Sequence, residues 1–353
     1  MKRMFRYSAH LMALAVMFTL LLTACGSQSS GSNGSSTVTV NLGYFPNMTH
    51  AVALVGVARG TFQQALGSNV KLETKTFNAG PAEIQALYAG DIDIGFVGPS
   101  PAVSGYIKSN GQALRIIAGA SSGGVLFVVR PGANINSPQD LAGKKLADPQ
   151  VGGTQDVALR YYLQQHGLKP ADKGGNVQII STDNATILSL FKQGRIDGAW
   201  MPEPWATRMI VEGHGKVFLD ERSLWPNGQF TTTDIVVRTA FMNQHPDLVS
   251  KFLQADVETV QYIQNNTQSA LNLVNSQLKQ ITGKGLASNE LTLAFSHMSV
   301  TYDPISSSIS TQADRAYTLG YLGSSNPNLT GLYNLGPLNQ VLTAKGLATV
   351  SGP

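Results

Sequence analysis

Asn78 to Pro101 reads NAGPAEIQALYAGDIDIGFVGPSP, and it decides the fold because it sets two helix starts on either side of one strand. Gly80 suits a tight turn into a helix, and Pro81 fits the first helical position, where no amide hydrogen is needed. Glu83 favours the first turn. Ile84, Leu87 and Tyr88 form an apolar stripe at i, i+3, i+4, and Gly90 supplies a left-handed stop. Ile92, Ile94, Phe96 and Val97 then read as a buried strand, after which Gly98, Pro99 and Ser100 open a second helix with Ser100 as a neutral donor. In a parallel sheet both helix starts lie at the carboxyl ends of strands, where open α/β sheets bind ligands. Free amides and the positive end of a helix dipole suit an anion there.

The pattern recurs. Ile187 to Trp200, ILSLFKQGRIDGAW, carries the stripe Ile187, Leu190, Phe191, a stop at Gly194, and then Ile196, Asp197, Ala199 and Trp200. Gly90-Asp-Ile-Asp-Ile-Gly-Phe96 and Gly194-Arg-Ile-Asp-Gly-Ala-Trp200 share Gly-x-Ile-Asp-x-small-aromatic. Each copy follows a strand, Val70 to Phe77 in one case and Val177 to Ser181 in the other, so the chain reads as two similar α/β lobes.

The N-terminus is a different kind of sequence. Lys2, Arg3 and Arg6 precede an apolar run from Leu11 to Leu22, and Leu22-Thr23-Ala24-Cys25 matches the bacterial lipobox, so residues 1–24 read as a lipoprotein signal peptide. The run is too short for a comfortable membrane span. Cys25, the chain's one cysteine, is the expected lipidation (palmitate) site, which excludes an intrachain disulfide and any Cys-based zinc site. Cleavage removes three basic residues and brings the formal net charge from +4 to about +1, so the basic balance does not imply nucleic acid. Residues 25–36, rich in Gly, Ser, Asn and Gln, read as a flexible tether on the order of 18 Å long.

Beyond it, Thr37 to Tyr44 alternates as a strand, and Phe45-Pro46-Asn47 turns into the apolar helix Ala51 to Arg59. Leu114 to Ala120 reads as a strand ended by Ser121, Ser122, Gly123 and Gly124. Val125 to Arg130 (VLFVVR) has a later echo in Asp234 to Arg238 (DIVVR), and these two are expected to pair as the strands that cross between lobes. Lys145 to Ala147 is a short strand, and the Asp148–Gly153 loop leads into a helix from Thr154 to His166. Past Phe241 the spacing becomes helical. The tail from Ser324 gives no functional signal. The expected organisation is residues 37–127 with 237–353 as the first lobe and 128–236 as the second.

With these residues in place, the chain resembles the substrate-binding proteins of ABC importers for alkanesulfonates, taurine and nitrate. The resemblance rests on Gly43 to Pro46, Ala79-Gly80-Pro81, Gly90 to Gly95, Asp140-Leu-Ala-Gly-Lys-Lys145 and Trp200-Met-Pro-Glu-Pro-Trp205. It implies a two-lobed flytrap of the type II periplasmic-binding-protein kind with two hinge strands. It also implies a monomeric, non-enzymatic receptor, lipid-anchored at the extracytoplasmic face of the bacterial cell membrane, with ABC permease subunits as partners and no cofactor. The family's cleft loops map onto Tyr44, Phe45 and Asn47; Gly80 and Pro81; Gly98 and Ser100; Ser121 and Ser122; Gly153, Thr154 and Gln155; and Glu203 and Trp205.

None of these loops holds Lys or Arg, so an anion would be gripped by amides, dipoles and Ser, Thr, Asn or Gln donors, which suits a singly charged sulfonate or nitrate. Each helix terminus contributes roughly 0.3 to 1 kcal/mol, toward ~2 when partly buried, so several must converge. Trp205, Tyr44 and Phe45 are expected to enclose an apolar tail, whereas Trp200 reads as core. Glu203, between two prolines, either meets a ligand ammonium, as in taurine, an amine or a nitrogen heterocycle, or caps its own helix. Bicarbonate and nitrate stay open beside aliphatic sulfonates, as does a membrane-tethered sensor or enzyme on the same fold. Enzyme signals are weaker: Gly119-Ala-Ser-Ser-Gly123 matches Gly-x-Ser-x-Gly but lacks the strand-to-helix turn of a nucleophile elbow. His50, His166, His214, His245 and His297 are scattered, so no metal site is expected.

Overall fold

The computed structural model describes residues 37–352, and the expectations for the signal peptide, Cys25 and the tether lie outside the described residues. Two mixed sheets carry the chain. The first is built from β1 (Val38–Tyr44), β2 (Val70–Thr76), β3 (Ile94–Val97), β4 (Leu114–Gly123), β10 (Thr231–Arg238) and β11 (Met298–Val300), in the order β2-β1-β3-β10-β4-β11. The second is built from β5 (Val125–Val129), β6 (Lys145–Asp148), β7 (Gln178–Ser181), β8 (Gly198–Pro202) and β9 (Lys216–Asp220), in the order β7-β6-β8-β5-β9. The first lobe carries α1 (Ala51–Ala58), α2 (Thr61–Leu66), α3 (Gly80–Ala89) and α4 (Pro99–Lys108), and the second carries α5 (Thr154–Gln165), α6 (Asn184–Lys192) and α7 (Trp205–Val211). The rest of the chain adds α8 (Thr239–Gln244), α9 (Pro246–Asn265), α10 (Thr267–Thr282), α11 (Ser288–Ser296), α12 (Ser306–Thr318) and α13 (Gly336–Ala344).

The internal repeat is structural. In each sheet three parallel strands (β1, β2, β3 and β6, β7, β8) stand in one order, and one antiparallel strand, β10 or β5, closes against the third. The aspartate of the repeated motif does the same work twice. Asp93 accepts from the Asn41 amide at 3.0 Å and from Arg238 Nη2 at 2.6 Å; Asp197 accepts from the Lys145 amide at 2.9 Å and from Arg130 Nη2 at 3.0 Å. Each carboxylate thereby clasps the first parallel strand of its sheet to the arginine that ends the antiparallel one.

That clasp corrects the reading of the VVR echo. Val125–Arg130 and Asp234–Arg238 do not pair with each other: β5 lies between β8 and β9, and β10 lies between β3 and β4. They resemble one another because they hold equivalent places in the two sheets. The sheets divide at Gly124 and between Asp220 and Thr231, so the expected limits at 127 and 236 both fall within strands. The crossings still run side by side, with the Gly123 amide donating to Phe230 O at 3.2 Å.

Glycines in the motifs make room for a buried acid. A Cβ on Gly43 or Gly95 would stand 2.5 or 2.6 Å from Glu83 Oε1, so the start of α3 can lie directly on β1 and β3. Glu83 is fully buried, and burial holds its carboxyl well above the usual range, hence neutral. Aromatic packing fills the cores: Phe62 stacks on Phe252 at 4.5 Å in the first lobe, and Phe127 meets Trp200 at 5.3 Å in the second. Trp200 is wholly buried, its indole N–H donating to Glu221, as a core role requires. In the tail beyond Ser324, α13 buries Leu338 and Leu342 in the first lobe's core.

Candidate functional site

Four helix starts meet at one cleft. Phe45, Asn47, Gly80, Gly98, Gly153, Thr154 and Gln155, all expected from sequence, line a space of about 430 Å³, counting its solvent-open part. The N-caps of α3, α4 and α5 are Ala79, Gly98 and Gly153, none of which caps its helix through a side chain, so these first-turn amides stay free. They are unequal as donors. Pro81 removes one amide from α3, and Pro99 and Pro101 leave Ser100 as the one amide in the first turn of α4. The α5 start presents Thr154, Gln155 and Asp156 in succession, which makes it the richest.

Ten lining residues were not among the expected set, and the polar ones that matter most are His50, Asn184 and Thr232. Asn184 opens α6, and its Oδ1 is buried with no hydrogen-bond partner; Thr154 Oγ1 is in the same position. Such groups are uncommon in folded proteins, and here both stand on the cleft wall, although others lie outside it, Ser100 Oγ and Ser121 Oγ among them. His50 is 2% exposed, and burial pushes its imidazole down to about 3, so it is neutral at physiological pH. Its Nδ1 accepts from the Phe45 amide at 3.3 Å, which puts the ring proton on Nε2. Asn184 was legible in principle, since Asp183-Asn184-Ala-Thr186 is a capped helix start at the carboxyl end of β7, the place where the α3 start stands in the first lobe.

No charged side chain lines the cleft. Its neighbour, the outer mouth, shares Asn47, Asn78 and Asn184 with it and adds Trp205, Arg208 and Asp183. Arg208 is bonded to Glu212 Oε1 at 2.7 Å and lies 4.6 Å from the Trp205 ring, and Lys284, also at the mouth, reaches the same oxygen at 3.1 Å, so the mouth carries two cations that share one carboxylate.

The other expected site residues stand elsewhere. Tyr44 is buried in β1. Ser121 and Ser122 are not in a loop: β4 continues through them to Gly123, paired with β10 and β11. The Gly119–Gly123 motif lies inside that strand and has no helix after it. Pro81 and Ser100 line a separate hollow beside Pro101 rather than the cleft. Glu203 is fully buried; its Oε2 accepts from the Thr207 amide at 3.0 Å and its Oε1 meets His297 Nδ1 at 2.7 Å, so it caps α7 and ties the lobes. Trp205 is at the mouth, where its indole N–H donates to Asn47 Oδ1 across the cleft at 2.9 Å. Among the described residues, no cluster of His, Cys, Asp or Glu is arranged to hold a metal ion, and no helix is long and apolar enough to cross a membrane.

A model of the NMT1-like family matches residues 33–275, and the chain belongs to that family. It is 30% identical over 215 residues to the taurine-binding periplasmic protein of Escherichia coli (strain K12), a match that covers 60% of this chain and 63% of that one. The alkanesulfonate-binding protein from Xanthomonas axonopodis pv. citri, solved bound to MOPS, superposes with a TM-score of 0.69 at 16% identity over 83% of this chain and 97% of that chain. The periplasmic nitrate-binding protein from Synechocystis PCC 6803 superposes with a TM-score of 0.69 at 15% identity, over 87% and 89%. The fold is therefore the two-lobed type II periplasmic-binding-protein fold.

Proposed function

We propose that this protein is a solute-binding receptor that captures a small organic anion, an aliphatic sulfonate, outside the cytoplasm and delivers it to an ABC importer. The observation that carries the reading is the convergence of the α3, α5 and α6 N-termini, with the Gly98 cap of α4 beside them, on a cleft with no charged side chain. Partly buried termini contribute up to ~2 kcal/mol each to an anion, so several together reach the range of micromolar binding without a lysine or arginine. A receptor rather than an enzyme is the reading in keeping with relatives named as binding proteins. Cys25 would carry the lipid anchor, and ABC permease subunits would be the partners that read the liganded lobes.

A specific observation supports taurine as a second reading. The unpartnered Oδ1 of Asn184 is an acceptor in a cleft of donors, and an ammonium on the ligand would satisfy it. The test is a thermal-shift and calorimetry screen of the mature protein against ethanesulfonate, taurine, nitrate, bicarbonate and a nitrogen heterocycle. A true ligand at 100 times its Kd stabilises by ~2.7 kcal/mol. Stabilisation by nitrate or bicarbonate alone would overturn the organic-anion reading.

A further inference from the structure

The α5 start, which supplies more free amides than any other at the cleft, is held from the opposite lobe. Asp156, on its first turn, is fully buried, and its Oδ2 accepts from the Gly152 amide at 2.8 Å and from the Tyr321 hydroxyl. Its Oδ1 accepts from Arg160 Nε at 2.6 Å, and Arg160 is in turn bonded to Asp172 at 2.9 Å. Tyr321 follows the end of α12 and packs with the first-lobe core. The other end of α12 is fixed at the crossing between lobes, where the Thr231 amide donates to Ser308 Oγ at 2.9 Å and Gln312 Nε2 donates to Thr231 O at 3.0 Å. From Ser308 to Tyr321 the chain reaches about 20 Å at helical rise. One element thus runs from the hinge to the anion loop.

We infer that Tyr321 is a positioning residue for the anion site: its hydroxyl crosses from one lobe to the other, fixes Asp156, and through Asp156 sets the Gly152-Gly153 turn so that the amides of Thr154 and Gln155 face the cleft. Gly152 has φ +76, a left-handed conformation that the turn must hold, and the Asp156 carboxylate is the group that pins its amide. When the lobes part, the hydroxyl leaves and the turn loosens. The amides are therefore preorganised only while the lobes touch, which slows ligand escape. This builds on the receptor reading above, although the latch itself can be tested without any ligand.

The test uses Tyr321→Phe in the full mature chain, with ethanesulfonate as probe. Amide hydrogen exchange at Gly152, followed with and without ethanesulfonate, should quicken in the variant in proportion to the share of molecules whose lobes touch, up to about tenfold, since the opening there loses one restraint. Stopped-flow binding should show dissociation faster by about tenfold or more, with association changed by less than about twofold. The melting temperature without ligand should stay at the wild-type value. Unchanged exchange at Gly152 overturns the inference whatever the probe does. A melting temperature that falls in step with affinity also overturns it, because the phenol would then be packing only. If wild type ignores ethanesulfonate while exchange at Gly152 quickens in the variant, the latch stands and the sulfonate reading falls.

Discussion

Gly98→Ala separates lobe closure from lobe folding. Gly98 has φ −68 and ψ 153, which any residue adopts, so its backbone does not call for glycine. Space does: a Cβ there would stand 2.3 Å from Thr154 Oγ1 in the facing lobe, about 1 Å inside normal contact, and 3.5 Å from Thr232 O. The overlap exists only while the lobes touch. Overpacking of this kind costs about 1 to 3 kcal/mol, which converts to roughly 5- to 150-fold in Kd. Calorimetry with ethanesulfonate should read that loss, while the denaturant midpoint without ligand shifts by less than about 0.5 kcal/mol equivalent. Small-angle scattering should show less compaction at saturating ligand than in wild type. Adding Thr154→Ala removes the oxygen at 2.3 Å and leaves its Cβ at 3.4 Å, an ordinary contact, so the double variant should bind better than Gly98→Ala alone. Wild-type affinity and compaction in Gly98→Ala would refute the reasoning, since the Gly98–Thr154 approach would then be no part of the bound state.

Glu203→Gln should leave the preference between ethanesulfonate and taurine unchanged, because Glu203 caps α7 and meets His297 instead of the cleft; stability should fall by roughly 1 to 3 kcal/mol in a denaturant titration. Burial, together with the neighbouring Asp156, pushes the Asp148 carboxyl up to about 8 against 3.8 when unfolded. The neutral acid therefore contributes fully below pH ~4, and its contribution is lost as pH rises through ~8. Asp148→Asn should flatten the fall in denaturant midpoint between pH 5 and 8.5, by on the order of 1.4 kcal/mol per unit of separation between the two pKa values. Cys25→Ser should abolish lipid modification, read by mass spectrometry of membrane-extracted protein, and leave the Kd for ethanesulfonate unchanged.

What the sequence disclosed and what it hid follow from the range of the interactions involved. Helix starts are local: glycine and proline in Asn78–Pro101 act within a few residues, so α3, β3 and α4 were legible, and the repeat of Gly-x-Ile-Asp marked β8 as the counterpart of β3. Of the residues expected on those starts, Gly80 and Gly98 line the cleft, whereas Pro81 and Ser100 line the hollow beside it. Pairing partners are not local. The VVR echo was a true signal with two geometric readings, adjacency or equivalence, and only the clasps Asp93–Arg238 and Asp197–Arg130 decide for equivalence. Ser121 and Ser122 carry turn-forming chemistry, yet the β10 and β11 strands on either side hold them extended, because the ladder satisfies backbone groups that a loop would leave to water. Glu203 shows the same limit from the other direction. Its flanking prolines indicate a turn, but whether a carboxylate meets a ligand or a histidine 94 residues away depends on where α11 packs. Long-range partners thus decide the roles of exactly those residues whose own types permit two. Closure chemistry, from Trp205–Asn47 to Tyr321–Asp156, is all of this kind, and it belongs to the fold rather than to any one stretch of the chain.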